Sequence, residues 1–204
     1  MKKAHPSFVD DKDSKNEMGF DLYYFITLFK TQLTSEPSNI FSVQYNRDLS
    51  EKITLRTTLG LGYQNTNNKQ DTLPSLNDKE FECEIRAGLA WEKKIYGRWQ
   101  IYYGVDIEYQ NGTSRTQQLT QYPNDINIYT NKYNEIGAGP FLGLTLFLNS
   151  RVSFNIETNL HFFYSDSRQD NVNLERPSLS NHTYTKGVTT FFYVPQDLFL
   201  NMKF

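Results

Sequence analysis

Residues 81–92 read Phe-Glu-Cys-Glu-Ile-Arg-Ala-Gly-Leu-Ala-Trp-Glu. Apolar side chains stand at the odd positions of this segment, and charged or small residues stand at the even positions. This period of two is that of a β-strand, whose successive side chains point to opposite faces. A helix with the same sequence would spread its charges around the whole circumference. The segment therefore predicts a strand with one apolar face and one polar face.

The same alternation recurs along most of the chain. It is clear in residues 53–64, where Ile53, Leu55, Leu59 and Leu61 share one face, and again in residues 101–110. Strands are predicted at 19–30, 40–48, 53–64, 80–92, 99–110, 133–148, 152–164 and 184–204. Residues 1–18 are charged and lack a period, which predicts a flexible N-terminal tail (1–18) before a single β-domain (19–204).

The connections between the predicted strands alternate between short and long. The short ones are 49–52, 93–98 and 149–151, and the long polar ones are 31–39, 65–79, 111–132 and 165–183. In an up-and-down antiparallel sheet all short turns lie at one end and all long loops at the other. The fold prediction is thus an all-β, eight-stranded antiparallel up-and-down barrel. Tyr122, Ile126 and Tyr129 in the third long loop predict an extended hairpin with an exposed aromatic surface.

Composition excludes several classes of protein. The chain has 204 residues, a formal net charge of −2 and a single cysteine. One cysteine excludes a disulfide framework and a cysteine-based zinc site, and a charge near zero gives no support for nucleic-acid binding. No apolar run approaches the roughly 20 residues that a membrane-spanning helix needs. Strands of about 9 to 11 residues are nevertheless long enough to cross a bilayer when tilted.

The alternation alone does not say which face of the strands points outward. A soluble barrel turns its apolar face inward and a transmembrane barrel turns it outward, and both give the same alternation. The polar faces are rich in glycine, which suits a narrow interior better than a solvent-facing surface. Aromatic residues cluster at strand ends of the apolar face, as they do at the interfaces of membrane barrels. These candidate membrane-interface residues are Tyr63, Trp91, Tyr96, Trp99, Tyr109 and Tyr164. The placement predicts a transmembrane β-barrel, with a soluble lipocalin-like ligand-binding barrel as an alternative.

The C-terminal residues carry the most specific signal. Leu198, Leu200, Met202 and Phe204 alternate up to a terminal phenylalanine. With the eight predicted strands, this resembles small outer-membrane barrels of the OmpA/OmpX architecture. The resemblance implies that Leu200, Met202 and Phe204 form the signal read by the barrel assembly machinery. Pro195 departs from a regular strand and predicts a bulge or the start of the strand.

The resemblance also implies a location and partners. It implies the outer membrane of a Gram-negative bacterium, reached after removal of a signal peptide that this sequence does not contain, with a periplasmic tail and four long extracellular loops. The implied partners are outer-membrane lipid, lipopolysaccharide, the assembly machinery during insertion, and a protein that binds the loops or shares a larger complex. A structural or surface-interaction role follows.

The polar face predicts the lining of the lumen. Its ionisable members are Asp21, Arg56, Glu82, Glu84, Arg86, Asp106, Glu108, Glu135, Glu157 and His161. An eight-stranded barrel is just wide enough for side chains to fill, so a packed polar lumen is expected. Adjacent-strand pairing is predicted for Arg56 with Glu82 or Glu84, and for Arg86 with Asp106 or Glu108. Because carboxylates outnumber arginines, a narrow cation-preferring pore remains an alternative.

No catalytic set is predicted. His161 lies near Ser165 and Asp166 in sequence, but parity places it in the lumen, where a hydrogen-bonded structural role is the simpler interpretation. The other two histidines, His5 and His182, do not align with it, and three scattered histidines do not form a metal site. The sequence therefore predicts a protein that is not an enzyme and has no cofactor or bound metal.

Overall fold

The computed structural model describes residues 15–22, 40–70, 73–119 and 126–204. Within these ranges the chain forms eight strands. They are β1 (Asn16–Asp21), β2 (Ile40–Asp48), β3 (Ile53–Gln70), β4 (Leu73–Tyr96), β5 (Trp99–Leu119), β6 (Ile126–Phe147), β7 (Val152–Asn173) and β8 (Asn181–Lys203), with a short 3-10 helix, Pro177–Leu179, before β8.

The eight strands form one closed antiparallel barrel. Each strand pairs with its neighbours in sequence, and β1 closes the ring by pairing with β8. The closing register runs from Glu17 opposite Lys203 to Asp21 opposite Phe199. The all-β, eight-stranded, antiparallel up-and-down fold predicted from the sequence is confirmed. Closure leaves every strand paired on both sides over part of its length, which is how barrels avoid exposed sheet edges.

Several strand boundaries differ from the prediction. β1 begins at Asn16, within the segment predicted as tail, and β8 begins at Asn181 rather than at residue 184. Residues 1–14 of the predicted tail and residues 23–30 of the predicted first strand lie outside the described residues. The β7–β8 register shifts between Glu157 and Asn159, opposite the part of β8 that contains Pro195. This irregularity agrees with the bulge expected at the proline.

Three of the four predicted long loops are largely strand, which corrects the prediction for 65–79 and 165–183 and agrees with the hairpin extension expected for 111–132. The 65–79 and 165–183 segments continue the ladders as far as Gln70 opposite Leu73 and Asn171 opposite Asn181. The 111–132 segment does the same as far as Leu119 opposite Ile126. These segments lack an apolar face that would reveal their period, yet their backbone groups still pair across the hairpins. The first predicted loop, 31–39, lies outside the described residues.

The barrel therefore has two unlike ends. The short-turn end holds the turns after β2, β4 and β6, together with the first residues of β1 and the last of β8. Gly97 adopts a φ of 57° in the β4–β5 turn, a conformation that favours glycine. Asn149 closes the β6–β7 turn by accepting hydrogen bonds from the backbone N–H groups of Arg151 and Val152, both at 2.8 Å. The opposite, hairpin end carries the long extensions, and in β7 the ten residues from Tyr164 to Asn173 span about 30 Å of strand.

The two faces of the barrel wall differ sharply in polarity. Leu89 and Val105 point outward with exposed fractions of 38% and 53%, whereas Arg86 and Asp106 point inward with 8% and 7%. Large apolar side chains cover the outer face of β3 to β8, and the inner face is mostly polar or charged. In the part of the chain that the structure describes, no helix has the length and apolar character needed to cross a membrane.

Candidate functional site: the barrel lumen

All ten predicted lumenal residues lie on the inner face of the barrel. Eight are buried, namely Asp21, Arg56, Glu84, Arg86, Asp106, Glu108, Glu157 and His161, and the other two, Glu82 and Glu135, are half-buried. Strict alternation along each strand explains this placement, because every second side chain of a barrel strand points to the axis. Six strands, β1 and β3 to β7, contribute members of the set.

Glycines on the inner face make room for aromatic rings from neighbouring strands. A Cβ at Gly137 would lie 2.5 Å from Cδ1 of Phe163, and a Cβ at Gly143 would overlap the ring of Tyr102. Phe163 and Tyr102 are both buried. Because these glycines have no side chain, the aromatic rings pack directly against the backbone of the wall and fill the lumen.

An ion pair crosses the full width of the lumen near the short-turn end. Nη2 of Arg56 lies 2.6 Å from Oε2 of Glu157. Arg56 is on β3 and Glu157 on β7, four strands apart in a ring of eight, so the pair joins opposite walls. The guanidinium also lies over the rings of Phe141 and Tyr102, with Cζ 4.2 and 5.2 Å from their centroids. Such stacking over aromatic faces further favours a buried arginine.

Arg86 extends this layer toward β4. Its Nε donates a 2.6 Å hydrogen bond to Oε1 of Glu84, and its Nη1 lies 3.8 Å from Oε1 of Glu157. In the amide orientation that satisfies both of its neighbours, Asn159 accepts from Arg86 Nη1 at 2.9 Å and donates to Glu157 Oε1 at 3.0 Å. A continuous network of charged and amide groups therefore joins β3, β4 and β7 across the barrel.

The adjacent-strand pairing predicted for Arg56 is wrong. Its ion pair is with Glu157 on the opposite wall rather than with Glu82 or Glu84. For Arg86, the Nε atom pairs with Glu84 on the same strand. Parity predicts which side chains enter the lumen, but the partner depends on barrel curvature, which brings opposite walls within reach of long side chains.

A second charged layer lies around His161. Its Nε2 is 2.6 Å from Oδ1 of Asp106, and its Nδ1 is 2.6 Å from Oε2 of Glu108. A neutral imidazole has a single N–H, so both contacts can be hydrogen bonds only if the ring is doubly protonated or one carboxyl carries a proton. Phe163 packs against the ring edge with centroids 5.7 Å apart. With both nitrogens facing carboxylates of β5 and no exposed surface, His161 joins β7 to β5 inside the lumen.

Polar contacts continue toward both ends of the barrel. Toward the hairpin end, Oη of Tyr133 donates a 2.6 Å hydrogen bond to Oε1 of Glu82. Toward the short-turn end, a cavity of about 40 Å³ extends inward as far as Arg56. Glu92 lines its wall, where it accepts hydrogen bonds from Thr54 and Gln100. The cavity is a shallow vestibule below the Arg56–Glu157 pair.

The predicted interface aromatics lie on the outer face. Five of them are exposed, namely Tyr63, Tyr96, Trp99, Tyr109 and Tyr164. Trp91 is half-buried and stacks on Tyr103, with ring centroids 6.2 Å apart and an interplanar angle of 24°. Trp91 and the pair Tyr96–Trp99 lie near the turn at the short-turn end, whereas Tyr63, Tyr109 and Tyr164 lie nearer the hairpins.

The C-terminal residues close the barrel. Leu200 lies opposite Phe20 and Met202 opposite Met18, and the backbone N–H of Phe204 donates to the carbonyl of Asn16 at 3.0 Å. Met202 and Phe204 are exposed, and Leu200 is partly exposed. The three residues predicted as an assembly signal thus lie at the C-terminal end of the seam between β8 and β1.

Sequence reasoning missed some of the side chains that join the walls. Tyr102, Tyr133 and Asn159 each contact a predicted lumenal residue, but none was singled out as a member of the network. Two signals were available for the tyrosines. Each lies on the inner face by parity, and each faces a glycine across the ladder, since Tyr102 pairs with Gly143 and Tyr133 with Gly112.

Among the described residues, no group of three or more histidine, cysteine, aspartate or glutamate side chains is arranged to hold a metal ion. Comparison of the chain with protein-family models, with curated proteins and with solved structures found no match.

Proposed function

We propose that the chain is an integral outer-membrane β-barrel of a Gram-negative bacterium, similar in architecture to OmpA and OmpX, with a structural or surface-interaction role. The observation that carries the proposal is the inverted polarity of the barrel. Ionisable side chains are buried along its axis, and large apolar side chains cover its outer surface. A large contiguous apolar surface is rare on soluble monomers and is the surface that acyl chains require.

The dimensions of the apolar surface fit a bilayer. On β7 the outward apolar residues run from Val152 to Tyr164, with Ile156 and Phe162 between them exposed. Twelve residue steps at about 3.3 Å, tilted by about 40°, span about 30 Å along the barrel axis. Outer-membrane barrels carry an apolar band of about 25 Å flanked by aromatic residues. The agreement supports a bilayer over an aqueous setting, and so disfavours the lipocalin-like alternative.

The filled lumen supports a structural or interaction role rather than a role as an open channel for solutes. The Arg56–Glu157 pair joins opposite walls, and the His161 layer adds a second obstruction. The hairpin extensions provide the largest surface beyond the apolar band, and loops or hairpins on a rigid scaffold are where binding usually occurs. We propose these extensions as the site for a partner protein, and the β8 seam strand as the segment read by the assembly machinery. No catalytic step, cofactor or metal is part of the proposal.

Insertion into lipid is the direct test. The refolded protein should enter liposomes and migrate differently on a detergent gel before and after boiling. Val105→Arg places a charge in the middle of the apolar band, and we expect it to destabilise the inserted barrel by about 2–4 kcal/mol. Gln117→Arg, on the same face of β5 but in the hairpin extension, is the matched control and should insert normally. A monodisperse monomer without detergent would contradict the membrane proposal.

A narrow cation-preferring pore is the second candidate. The observation that favours it is the excess of buried carboxylates, five against two arginines and one histidine. Planar-bilayer recordings separate the two candidates, because a pore would give a steady cation-selective conductance that Glu84→Gln or Asp106→Asn abolishes. Glu175→Gln, in the connection after β7, is the control and should leave any conductance unchanged. A silent bilayer with inserted protein would support the closed barrel.

A further inference from the structure

The outer face of the hairpin extensions carries one cation on each of the four consecutive strands β4 to β7, and a fifth, Lys186 on β8, is paired with Asp166. The first four are Lys79 on β4, Arg115 on β5, Lys132 on β6 and Arg168 on β7, and all four are exposed. Each has the same parity as the outward apolar residues of its strand, so all four point away from the barrel axis. These four residues are called the basic cluster below.

The pairing register places the members of the basic cluster next to one another. Lys79 lies directly opposite Arg115, and Lys132 lies directly opposite Arg168. Lys132 pairs with Thr113, two residues from Arg115, which makes Lys132 and Arg115 diagonal neighbours. Directly opposed side chains have Cβ atoms about 5 Å apart, and diagonal ones about 7–8 Å. The four cations of the basic cluster are therefore contiguous on the outer face.

Like charges directly opposite each other destabilise a sheet, so two such pairs side by side call for a counter-charge. Asp170 and Asp166, the outward neighbours of Arg168 on β7, supply part of it: Oδ1 of Asp170 lies 2.8 Å from Nε of Arg168, and Oδ2 of Asp166 lies 3.2 Å from Nζ of Lys186. In the part of the chain that the structure describes, Lys79, Arg115 and Lys132 have no ion pair. An anion from outside the chain would offset this repulsion.

The basic cluster lies one to three outward positions beyond the apolar band. On β4 it is one outward position past Phe81, on β6 two past Ile136, on β7 two past Tyr164, and on β5 three past Tyr109. One outward position is two residues, or about 7 Å of strand. If the apolar band lies within acyl chains, these cations lie at the depth of the lipid head groups.

We propose that the basic cluster binds the phosphate groups of anionic lipid in the leaflet around the hairpin end of the barrel. The inference rests on the proposed membrane location and names the lipid chemistry that this surface recognises. Phosphate oxygens suit it because arginine and lysine at spacings of about 5–8 Å can share one phosphate or bridge two. Binding is electrostatic, so it weakens as ionic strength rises.

The test uses nanodiscs of phosphatidylcholine that contain a minor share of phosphatidic acid, with bound phosphatidic acid counted by native mass spectrometry. The test variant replaces Lys79, Arg115 and Lys132 with glutamine. We expect roughly a five-fold loss of lipid association for each cation removed, and hence about 100-fold in total.

The matched control is the triple glutamine variant of Arg47, Lys52 and Lys93. Like the test variant, it removes two lysines and one arginine, but from exposed positions at the short-turn end. The control should retain the lipid as the wild type does. Equal losses in the two triple variants would overturn the proposal, because the effect would then follow net charge rather than the cluster. A second arm offers inorganic phosphate in place of the lipid, and equally tight binding of the free ion would also overturn it.

A single substitution adds a readout that a merely structural role would not give. Lys79→Glu places a carboxylate opposite Arg115, so in zwitterionic detergent the unfolding midpoint should rise while phosphatidic acid retention falls. If both fall together, Lys79 is structural and the proposal fails. Insertion is scored separately by the gel shift on boiling. Failure to insert contradicts the proposed membrane location, whereas normal insertion without a preference for phosphatidic acid contradicts only this inference.

Discussion

Glu157→Gln tests whether charge pairing across the lumen stabilises the barrel. The Glu157 side chain has no exposed surface, and it lies 2.6 Å from Arg56 and 3.8 Å from Arg86. The substitution preserves shape but leaves two buried guanidinium groups short of a carboxylate. Breaking a buried ion pair by removing one partner costs about 3–5 kcal/mol. We expect about 3 kcal/mol here, because Arg56 keeps its contacts with aromatic rings and glutamine keeps one hydrogen-bond acceptor.

The assay is urea unfolding of the detergent-folded protein, followed by the fraction of the compact gel band. Glu135→Gln is the control, since this residue shares the inner face but is only half-buried, and it should cost less than 1 kcal/mol. The double variant Glu157→Gln with Arg56→Gln should recover about 2 kcal/mol of the loss, because it removes the unpaired charge along with its partner. Equal effects of Glu157→Gln and Glu135→Gln would refute the reasoning, as would strictly additive losses in the double variant.

Two further predictions concern the wall and a hairpin. Gly137→Ala should lower the unfolding free energy by about 1–3 kcal/mol, because the new Cβ would press on the fully buried ring of Phe163. Gly187→Ala is the control: its Cβ meets no atom within 4 Å, so the substitution should be neutral in the same urea assay. Hydrogen bonds from Arg168 and His182 hold the pKa of Asp170 below its ordinary value of 3.8, so these contacts persist above that pH and are lost as the pH falls through the lowered value. Hydrogen exchange of the backbone amides of residues 171–181, corrected for intrinsic rates, should therefore accelerate only in strong acid. Asp170→Asn should abolish this acid-induced acceleration. An unchanged acceleration in the variant would show that Asp170 is not the group that titrates.

The hairpin extensions show where sequence reasoning stopped short. An apolar face makes the period of a strand visible, and the segments around Asn65 and Asn171 have no such face. In the structure these residues continue the ladders of the barrel. Polar side chains with water on both sides carry no periodic signal, although their backbone groups pair as well as those of any strand.

The pairing of β1 with β8 could not be predicted from the sequence either. Alternation predicted a last strand ending at Phe204, but it did not predict that β1 begins as early as Asn16. The backbone of Phe204 bonds to that same residue, so the two termini meet at the short-turn end. Closure depends on the summed stagger of eight strands, and no single segment contains that information.

By itself the sequence determined the class of fold, the order of strands and the face on which each lumenal residue lies. These follow from local geometry, since a period of two assigns every side chain to one of two faces. Only the tertiary structure decided the partners. Arg56 pairs with Glu157 rather than with its neighbours on β4, and Lys79 lies opposite Arg115 in the register, because curvature and register bring together residues that are distant in the chain. A contact across a barrel depends on how the whole ring closes, and local periodicity cannot supply that.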